Sequence, residues 1–324
     1  MKAIRVAQFG GPEVLVVQDV PTPEAGPGQV RVKLEAAGIN PVETYIRAGT
    51  YARLPQLPYT PGTDGAGVVD AVADDVAGVA VGDRVYVAAL LARASTGTYA
   101  EYVVCDASCV HPLPATMTAG QGAAVGVPYA TAWRALFQKA RLQPGETVFV
   151  HGASGGVGLA AVQIARAHGA DVLGSAGTAE GLELIRSEGA HLALNHASEV
   201  YLDELLRVTD GRGADIVLEM LANVNLERDL AITAQNGRIV VIGSRGALQF
   251  NPRGTMAREL TIVGMAYWNT PLADDRQVHA GICAGLEAGT LRPAVGRQFS
   301  LGEAPRAHDA VMAPGAHGKI VLLP

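Results

Sequence analysis

"VFVHGASGGVGLAAVQIARAHGA" (Val148–Ala170) decides the fold, because its centre can be parsed two ways. Gly152-Ala153-Ser154-Gly155-Gly156 fits G-x-S-x-G, the strand-to-helix turn that exposes a nucleophilic serine in α/β-hydrolases. Gly152, Gly155 and Gly158 also form G-x-x-G-x-x-G, a variant of the loop that cradles a dinucleotide pyrophosphate. Both parsings want a strand before and a helix after. "TVFV" and "VGLAAVQIARA" supply them, and Gly169 stops the helix. The next residues, "DVLGSAG" (Asp171–Gly177), form another short strand, so the loop belongs to a βαβ unit. There Gly152 allows the tight turn, Gly155 and Gly156 let backbone approach an anion, and Gly158 lets the helix pack on the strand. The free N–H groups and positive dipole end of the helix then face the pyrophosphate. A hydrolase would need an acid and then a histidine after later strands. The candidates are Asp215 with His279 or His308, but Asp215 opens "DIVLEML", the wrong end of a parallel strand. Ser154 is therefore read as a small residue beside a phosphate.

Outward from this stretch, the chain changes character. From about Pro128 to Met265, helical runs such as "YATAWRALFQKA", "AEGLELIRSEGA" and "NLERDLAITAQNG" alternate with apolar strands such as "DIVLEML", "RIVVIGS" and "LTIVGMA". That order predicts an α/β domain with a doubly wound parallel sheet. The first part, to about Val125, holds short β-like runs between Gly and Pro: "EVLVVQDV", "QVRVKLEAAGI", "GAGVVDAV", "GDRVYVAAL" and "TYAEYVVC". It reads as a mostly antiparallel β domain. The tail carries one helix, "DDRQVHAGICAGLEAGTL", and a last strand, "GKIVLLP", and is expected to return to that domain. The expected division is 1–125 with 266–324, and 126–265.

The chain has 324 residues, 49 % hydrophobic and 17 % charged, with a formal charge of −6. This describes a well-buried globular enzyme. The acidic balance, without a basic run, argues against nucleic-acid binding. The apolar runs fall short of a membrane span, and the N-terminus lacks a secretory pattern, so the expected compartment is the cytoplasm. Three cysteines, Cys105, Cys109 and Cys283, give no disulfide framework. Cys105-x-x-x-Cys109 resembles half a metal site, but no further ligand cluster accompanies it, so no metal is expected. Short-chain dehydrogenases carry Y-x-x-x-K; no tyrosine here has lysine four residues on.

Seven ordered segments carry a closer likeness: "FGGPEVL" (Phe9–Leu15), "GINPVETYIRAGTY" (Gly38–Tyr51), "LPYTPGTDGAGVV" (Leu57–Val69), "GVPYATAWRAL" (Gly126–Leu136), "HGASGGVGLAA" (His151–Ala161), "EMLANVNL" (Glu219–Leu226) and "GSRG" (Gly243–Gly246). Through them nearly the whole chain resembles the zinc-free, zeta-crystallin-type NADPH:quinone reductases of the medium-chain dehydrogenases. The resemblance implies a Rossmann domain, a β-rich GroES-like catalytic domain and a cofactor in the cleft between them. It puts Asn40, Tyr45 and Tyr51 around the nicotinamide, and Thr131 at its amide. Ser154, Gly155, Gly156 and Val157 match the pyrophosphate loop, and Gly177 and His196 the adenosine side. Asn225, Ile242, Gly243, Ser244, Arg245, Met265, Ala266 and Tyr267 match later cofactor contacts. Taken alone, Tyr45 and Tyr51 read equally well as packing residues. Zinc relatives carry cysteine near the "GIN" position and G-H-E where this chain has Gly62-Thr63-Asp64, so zinc is not expected.

An NAD enzyme wants Asp or Glu at the end of the second strand. Here that strand runs into "GSAGT", which favours NADPH, with Ser175 and Thr178 available to its 2′-phosphate. Some relatives use lysine at the position of Gly181 for this phosphate, and this chain departs from them. The expected reaction is hydride transfer to a quinone, with an alkenal or enone as the alternative acceptor. Tyr51 would donate to the oxygen that gains charge, with Asn40 as its polar neighbour. A structural or RNA-binding crystallin-like role is a remote third reading. The apolar "RIVVIGS" and "ELTIVGMAYW" strands point to a homodimer or homotetramer built on a sheet edge.

Overall fold

The computed structural model describes residues 1–315 and 317–324. The chain divides into two compact units, Pro128–Pro271, and Met1–Val127 with Leu272–Pro324.

In the Pro128–Pro271 unit, apolar runs too short for helices become a six-stranded parallel sheet. Across it the order is Leu192–Asn195, Asp171–Ala176, Thr147–Val150, Ala214–Glu219, Thr233–Val241 and Thr261–Gly264. The chain builds outward in one direction from Thr147–Val150, then restarts beside it at Ala214–Glu219. This is the doubly wound order, and ligands bind such sheets at the carboxyl ends of the strands where the order reverses. The Thr147–Val150 strand is buried along its length, as a central parallel strand must be. Phe149, Leu173, Leu194, Leu205, Val217 and Ile239 belong to the core on one side of the sheet. The expected single helix over "YATAWRALFQKA" is an α-helix, Gly126–Trp133, that continues as a π-helical turn over Arg134–Lys139.

In the other unit, alternation does the work. Val30, Val32 and Leu34 of the Gln29–Ile39 strand are buried while Lys33 and Glu35 face outward. That strand lies within a seven-stranded sheet that is antiparallel except where Val295–Ser300 meets Lys319–Leu323. Two registers set the polar end of this sheet. Ile320 pairs with Ile39, so antiparallel pairing brings Lys319 opposite Asn40. Gly38 pairs with Asp64 on the other side. The Asp64–Val72 strand and the final Lys319–Leu323 strand thus deliver a carboxylate and an ammonium to one end of Gln29–Ile39. Cys105 and Cys109 are buried, and burial pushes the Cys109 thiol up to about 12, so it packs as a small apolar group. Among the described residues, no helix is long and apolar enough to cross a membrane.

Candidate active site

The glycine loop sits at the carboxyl end of Thr147–Val150, at the point where the sheet order reverses. Gly152 has φ +56°, a conformation that favours glycine. A Cβ on Gly158 would lie 2.5 Å from both Ala153 Cα and Gly152 O, so only glycine lets the helix settle on the turn. Gly155 differs: a Cβ there meets Gly152 O at 3.5 Å and otherwise open space. It is the N-cap of the Gly156–Ala167 helix. The first-turn N–H groups of that helix lack intrahelical acceptors and carry the positive end of its dipole. A helix start of this kind is suited to an anion.

Ser154 is 7 % exposed, and a Cβ at Gly181 would lie 3.2 Å from its Oγ. The same Cβ would lie 3.0 Å from Ala176 Cβ and 3.1 Å from Thr178 Oγ1. Thr178 caps the Ala179–Ser187 helix, accepting from Gly181 N at 3.1 Å. Gly177 touches His196: an added Cβ would stand 2.7 Å from the imidazole Nε2. Ser175 corrects an expectation. It is fully buried, and its Oγ accepts from Gly152 N at 3.3 Å and lies 3.4 Å from His196 Nδ1. It braces the loop from beneath and has no surface to offer a phosphate. Of the hydrolase candidates, Asp215 accepts from Thr147 N and pairs with Arg212, and His279 and His308 lie in the other unit.

The remaining cofactor-side segments join at the same sheet edge. Asn225 Nδ2 donates to Glu219 Oε1 at 3.3 Å. Ile242 N and Gly243 N both donate to Glu219 O, at 2.8 and 3.2 Å. Ser244 Oγ donates to Gly246 O, and Arg245 N to Asn223 Oδ1. Met265 N donates to Val241 O, Ala266 follows it, and Tyr267 is buried. Buried Thr131 lies one turn before Arg134, a residue that carries no signal in the sequence. Arg134 Nη1 donates to Tyr267 O at 3.3 Å and to Thr270 Oγ1, and Nη2 to Asn269 O, so it ties the Thr131 helix to the 267–270 turn.

In the other unit, Asn40 caps the Pro41–Arg47 helix, which carries Tyr45. Asn40 is 3 % exposed and its amide is fully engaged. Oδ1 accepts from Lys319 Nζ, and Nδ2 donates to Asp64 Oδ2 at 2.9 Å and to Glu43 Oε1 at 3.4 Å. Lys319 Nζ also reaches Asp64 Oδ2 at 2.8 Å. Glu43 Oε2 accepts from Asn40 N at 2.8 Å and from Tyr99 Oη at 2.6 Å. With its proton on Glu43, the Tyr99 hydroxyl accepts from His308 Nε2 at 3.1 Å. His308 Nδ1 in turn accepts from Arg47 Nη1 at 3.3 Å. Burial raises the Glu43 carboxyl and lowers His308 to about 3, so the imidazole is neutral. Tyr45 and Tyr51 are half-buried, and burial pushes the Tyr51 phenol up to about 12. A cavity of about 180 Å³ nearby is lined by Glu43, Ile46, Tyr59, Thr63, Ala89 and Ser95 among others. The Tyr59 hydroxyl there is buried without a hydrogen-bond partner.

Comparison with known proteins adds to this geometry. A family described as "Alcohol dehydrogenase GroES-like domain" matches residues 26–115, and one described as "Zinc-binding dehydrogenase" matches residues 156–277. A quinone oxidoreductase of Homo sapiens is 47 % identical, over 100 % of this chain and 98 % of its own. A crystal structure of an NAD-dependent alcohol dehydrogenase superposes with a TM-score of 0.91 at 33 % identity, covering 100 % of both chains. Escherichia coli quinone oxidoreductase complexed with NADPH gives a TM-score of 0.86 at 27 % identity, covering 100 % of this chain and 100 % of its own.

The second family description implies zinc, and the residues at that position do not suit it. Asn40 contributes an amide already bonded on both sides, and Thr63 a hydroxyl held 3.4 Å from Glu43 Oε1. Asp64 contributes a carboxylate neutralised by the Lys319 ammonium. Zinc wants thiolate, imidazole or free carboxylate. A fixed lysine charge stands where such a donor set would need a metal.

Proposed function

The chain belongs to the quinone oxidoreductase family of the medium-chain dehydrogenases/reductases, and we propose that it reduces quinones with NADPH, without zinc. The observation that carries this reading is the glycine loop. Gly152 and Gly158 are explained by the backbone itself, whereas a Cβ at Gly155, the N-cap of the following helix, would meet little but open space. A dinucleotide pyrophosphate suits that space, because helix-terminal N–H groups line it. Ser154–Val157 would hold the pyrophosphate. Gly177, Thr178 and His196 would take the adenosine side, and no carboxylate between Gly174 and Ala179 repels a 2′-phosphate. Asn225, Ile242–Arg245, Met265–Tyr267 and Thr131 would complete the nicotinamide half.

Bound NADPH supplies a hydride; the protein orients and donates hydrogen bonds. Tyr51 donates to the substrate oxygen that gains charge, which needs a donor more than a strong acid. Tyr45 walls the same region. Asn40 serves through the helix it caps, because its amide is committed to Lys319, Asp64 and Glu43. The three free cysteines fit a reducing cytoplasm. The expected assembly is a homodimer or homotetramer joined at the Thr261–Gly264 edge.

The test is NADPH oxidation followed with an ortho-quinone and with an alkenal in parallel. Faster turnover of the quinone is expected. Turnover of the alkenal alone would make the protein a double-bond reductase, and failure to bind any nicotinamide would remove the reading.

A further inference from the structure

Three ionisable residues beneath the glycine loop have no part in hydride transfer. His151 follows the Thr147–Val150 strand and immediately precedes Gly152. Glu219 ends the adjacent Ala214–Glu219 strand, and Asp229 lies in the Ala222–Ile232 helix. Their exposures are 4, 0 and 0 %. His151 Nε2 lies 2.8 Å from Asp229 Oδ1 and 3.3 Å from Glu219 Oε2. Glu219 Oε2 and Asp229 Oδ2 accept no hydrogen bond. One ligand atom from each of the three lies within 4.8 Å of the others, and two bare carboxylates so deeply buried repel and are poorly solvated. One proton shared between the carboxyls would relieve the repulsion and supply the missing hydrogen bond. Burial accordingly raises both carboxyls and lowers His151.

The surroundings neither replace that proton nor swamp it. Arg228, on the same helix as Asp229, is the cation that acts on the cluster. It also stands over the Tyr201 ring at 5.7 Å, and Tyr201 faces both carboxyls. His196 faces His151, and Phe149 presents its ring to the imidazole at 4.6 Å. The cluster in turn holds three segments. His151 N donates to Leu218 O and fixes the start of the glycine loop. Glu219 Oε1 accepts from Leu221 N and Asn225 Nδ2. The main-chain oxygen of Glu219 accepts from Ile242 N and Gly243 N.

We propose that His151, Glu219 and Asp229 act as one proton-sharing unit that positions the glycine loop, Asn225 and the 242–243 turn. Given that the loop binds a dinucleotide, on which this step rests, affinity for the cofactor then depends on whether the shared proton is in place. When it leaves, the two carboxylates part and Glu219 pulls on Leu221 and Asn225. A further negative charge also appears beneath a site made for an anion. These are positioning residues, since none touches a reacting atom.

Two measurements test this. Infrared difference spectra of the apoprotein, wild type against Glu219→Gln and against Asp229→Asn, should show a protonated-carboxyl carbonyl band that both substitutions remove. If the wild type lacks this band, the shared proton is overturned, with or without a cofactor. NADPH dissociation constants by cofactor fluorescence between about pH 6 and 9 form the second test. The wild type should weaken by up to tenfold per pH unit as the infrared band titrates, the slope of one linked proton. Both variants should bind with a flat profile. An unchanged slope in the variants overturns the positioning role. Should a variant fail to fold, coincidence of the wild-type infrared and binding titrations still decides. Stoichiometric metal in the purified wild type, lost in Asp229→Asn, would overturn the proton in favour of a cation. Absence of NADPH binding at any pH, with the band present, would defeat the dinucleotide reading and leave the proton-sharing cluster standing.

Discussion

At Tyr51 the hydroxyl keeps its proton throughout any working range, because burial pushes it up to about 12. It is suited to donate and unsuited to serve as a base. A hydrogen bond to an oxygen that becomes charged contributes about 1.5–3 kcal/mol. Tyr51→Phe keeps the ring and removes the donor, so kcat/KM should fall roughly tenfold to a hundredfold with little change in Tm. The ratio of wild-type to variant rates should stay constant up to about pH 10, since the phenol does not ionise there. Equal rates for the two proteins would leave Tyr51 as a packing residue. Asn40 shows where reading residues one by one runs out. Its place before a helix is legible as a cap, but its amide is spent on Lys319, a residue 279 positions away. No local pattern carries that pairing; it follows from the register of the last strand.

At the scale of the element, two glycines of one loop should fail differently. Gly155→Asp points into open space from an ordinary extended backbone, so the fold should survive. The carboxylate would lie where an anion is expected, and NADPH titration by fluorescence should show binding lost with circular dichroism unchanged. Gly158→Ala drives a methyl group to within 2.5 Å of backbone. It should cost about 1–3 kcal/mol and lower Tm by a few degrees. The reverse pattern would mean that the loop is misread. Elements themselves were mostly legible. Gln29–Ile39 announces itself by alternation, and the central parallel strands by short apolar runs between turns. Val295–Ser300, "VGRQFS", was not, because it carries no apolar run and is held by its partner Lys319–Leu323. Arg134 and the His151–Glu219–Asp229 cluster were equally silent. Each joins residues from separate elements, and a single histidine or arginine in sequence says nothing of what it will meet.

For the whole molecule, acid is the condition that the buried histidines should register. Burial lowers His111 and His308 to about 3 and His279 to about 4. Folded-state values below the unfolded value near 6.5 mean that the unfolded chain takes up protons the folded chain refuses. Stability is therefore full above about pH 6.5 and falls with acidification toward those values, by on the order of 2 kcal/mol per histidine at pH 5. Glu43, raised by burial, opposes this with one proton, and the carboxyl pair of the other unit roughly offsets His151. Denaturant unfolding should thus show net proton uptake between about pH 5 and 6.5, and a flat profile would contradict it. Assembly belongs to this scale too. Thr261–Gly264 pairs only with Thr233–Val241 among the described residues, which leaves its other edge for a second copy across a two-fold axis. Light scattering should report a dimer or larger at micromolar concentration; monomer alone would rule the edge out.

Lys319 also dictates an order of events during synthesis. The Pro128–Pro271 unit is continuous in sequence and is free to fold once it has emerged from the ribosome. The first half of the other unit is expected to stay open meanwhile, because the cation that pairs with Asp64 is translated 255 residues later. Until that strand arrives, burying Asp64 would strand an uncompensated carboxylate, a defect of about 3–5 kcal/mol. Lys319→Met imposes the same defect permanently. It should leave nascent chains with a protease-resistant Pro128–Pro271 fragment beside a digestible remainder, a pattern that pulse proteolysis of stalled and released chains would reveal. The strand that carries Lys319 is thus expected to be the one that lets the Asp64 strand close.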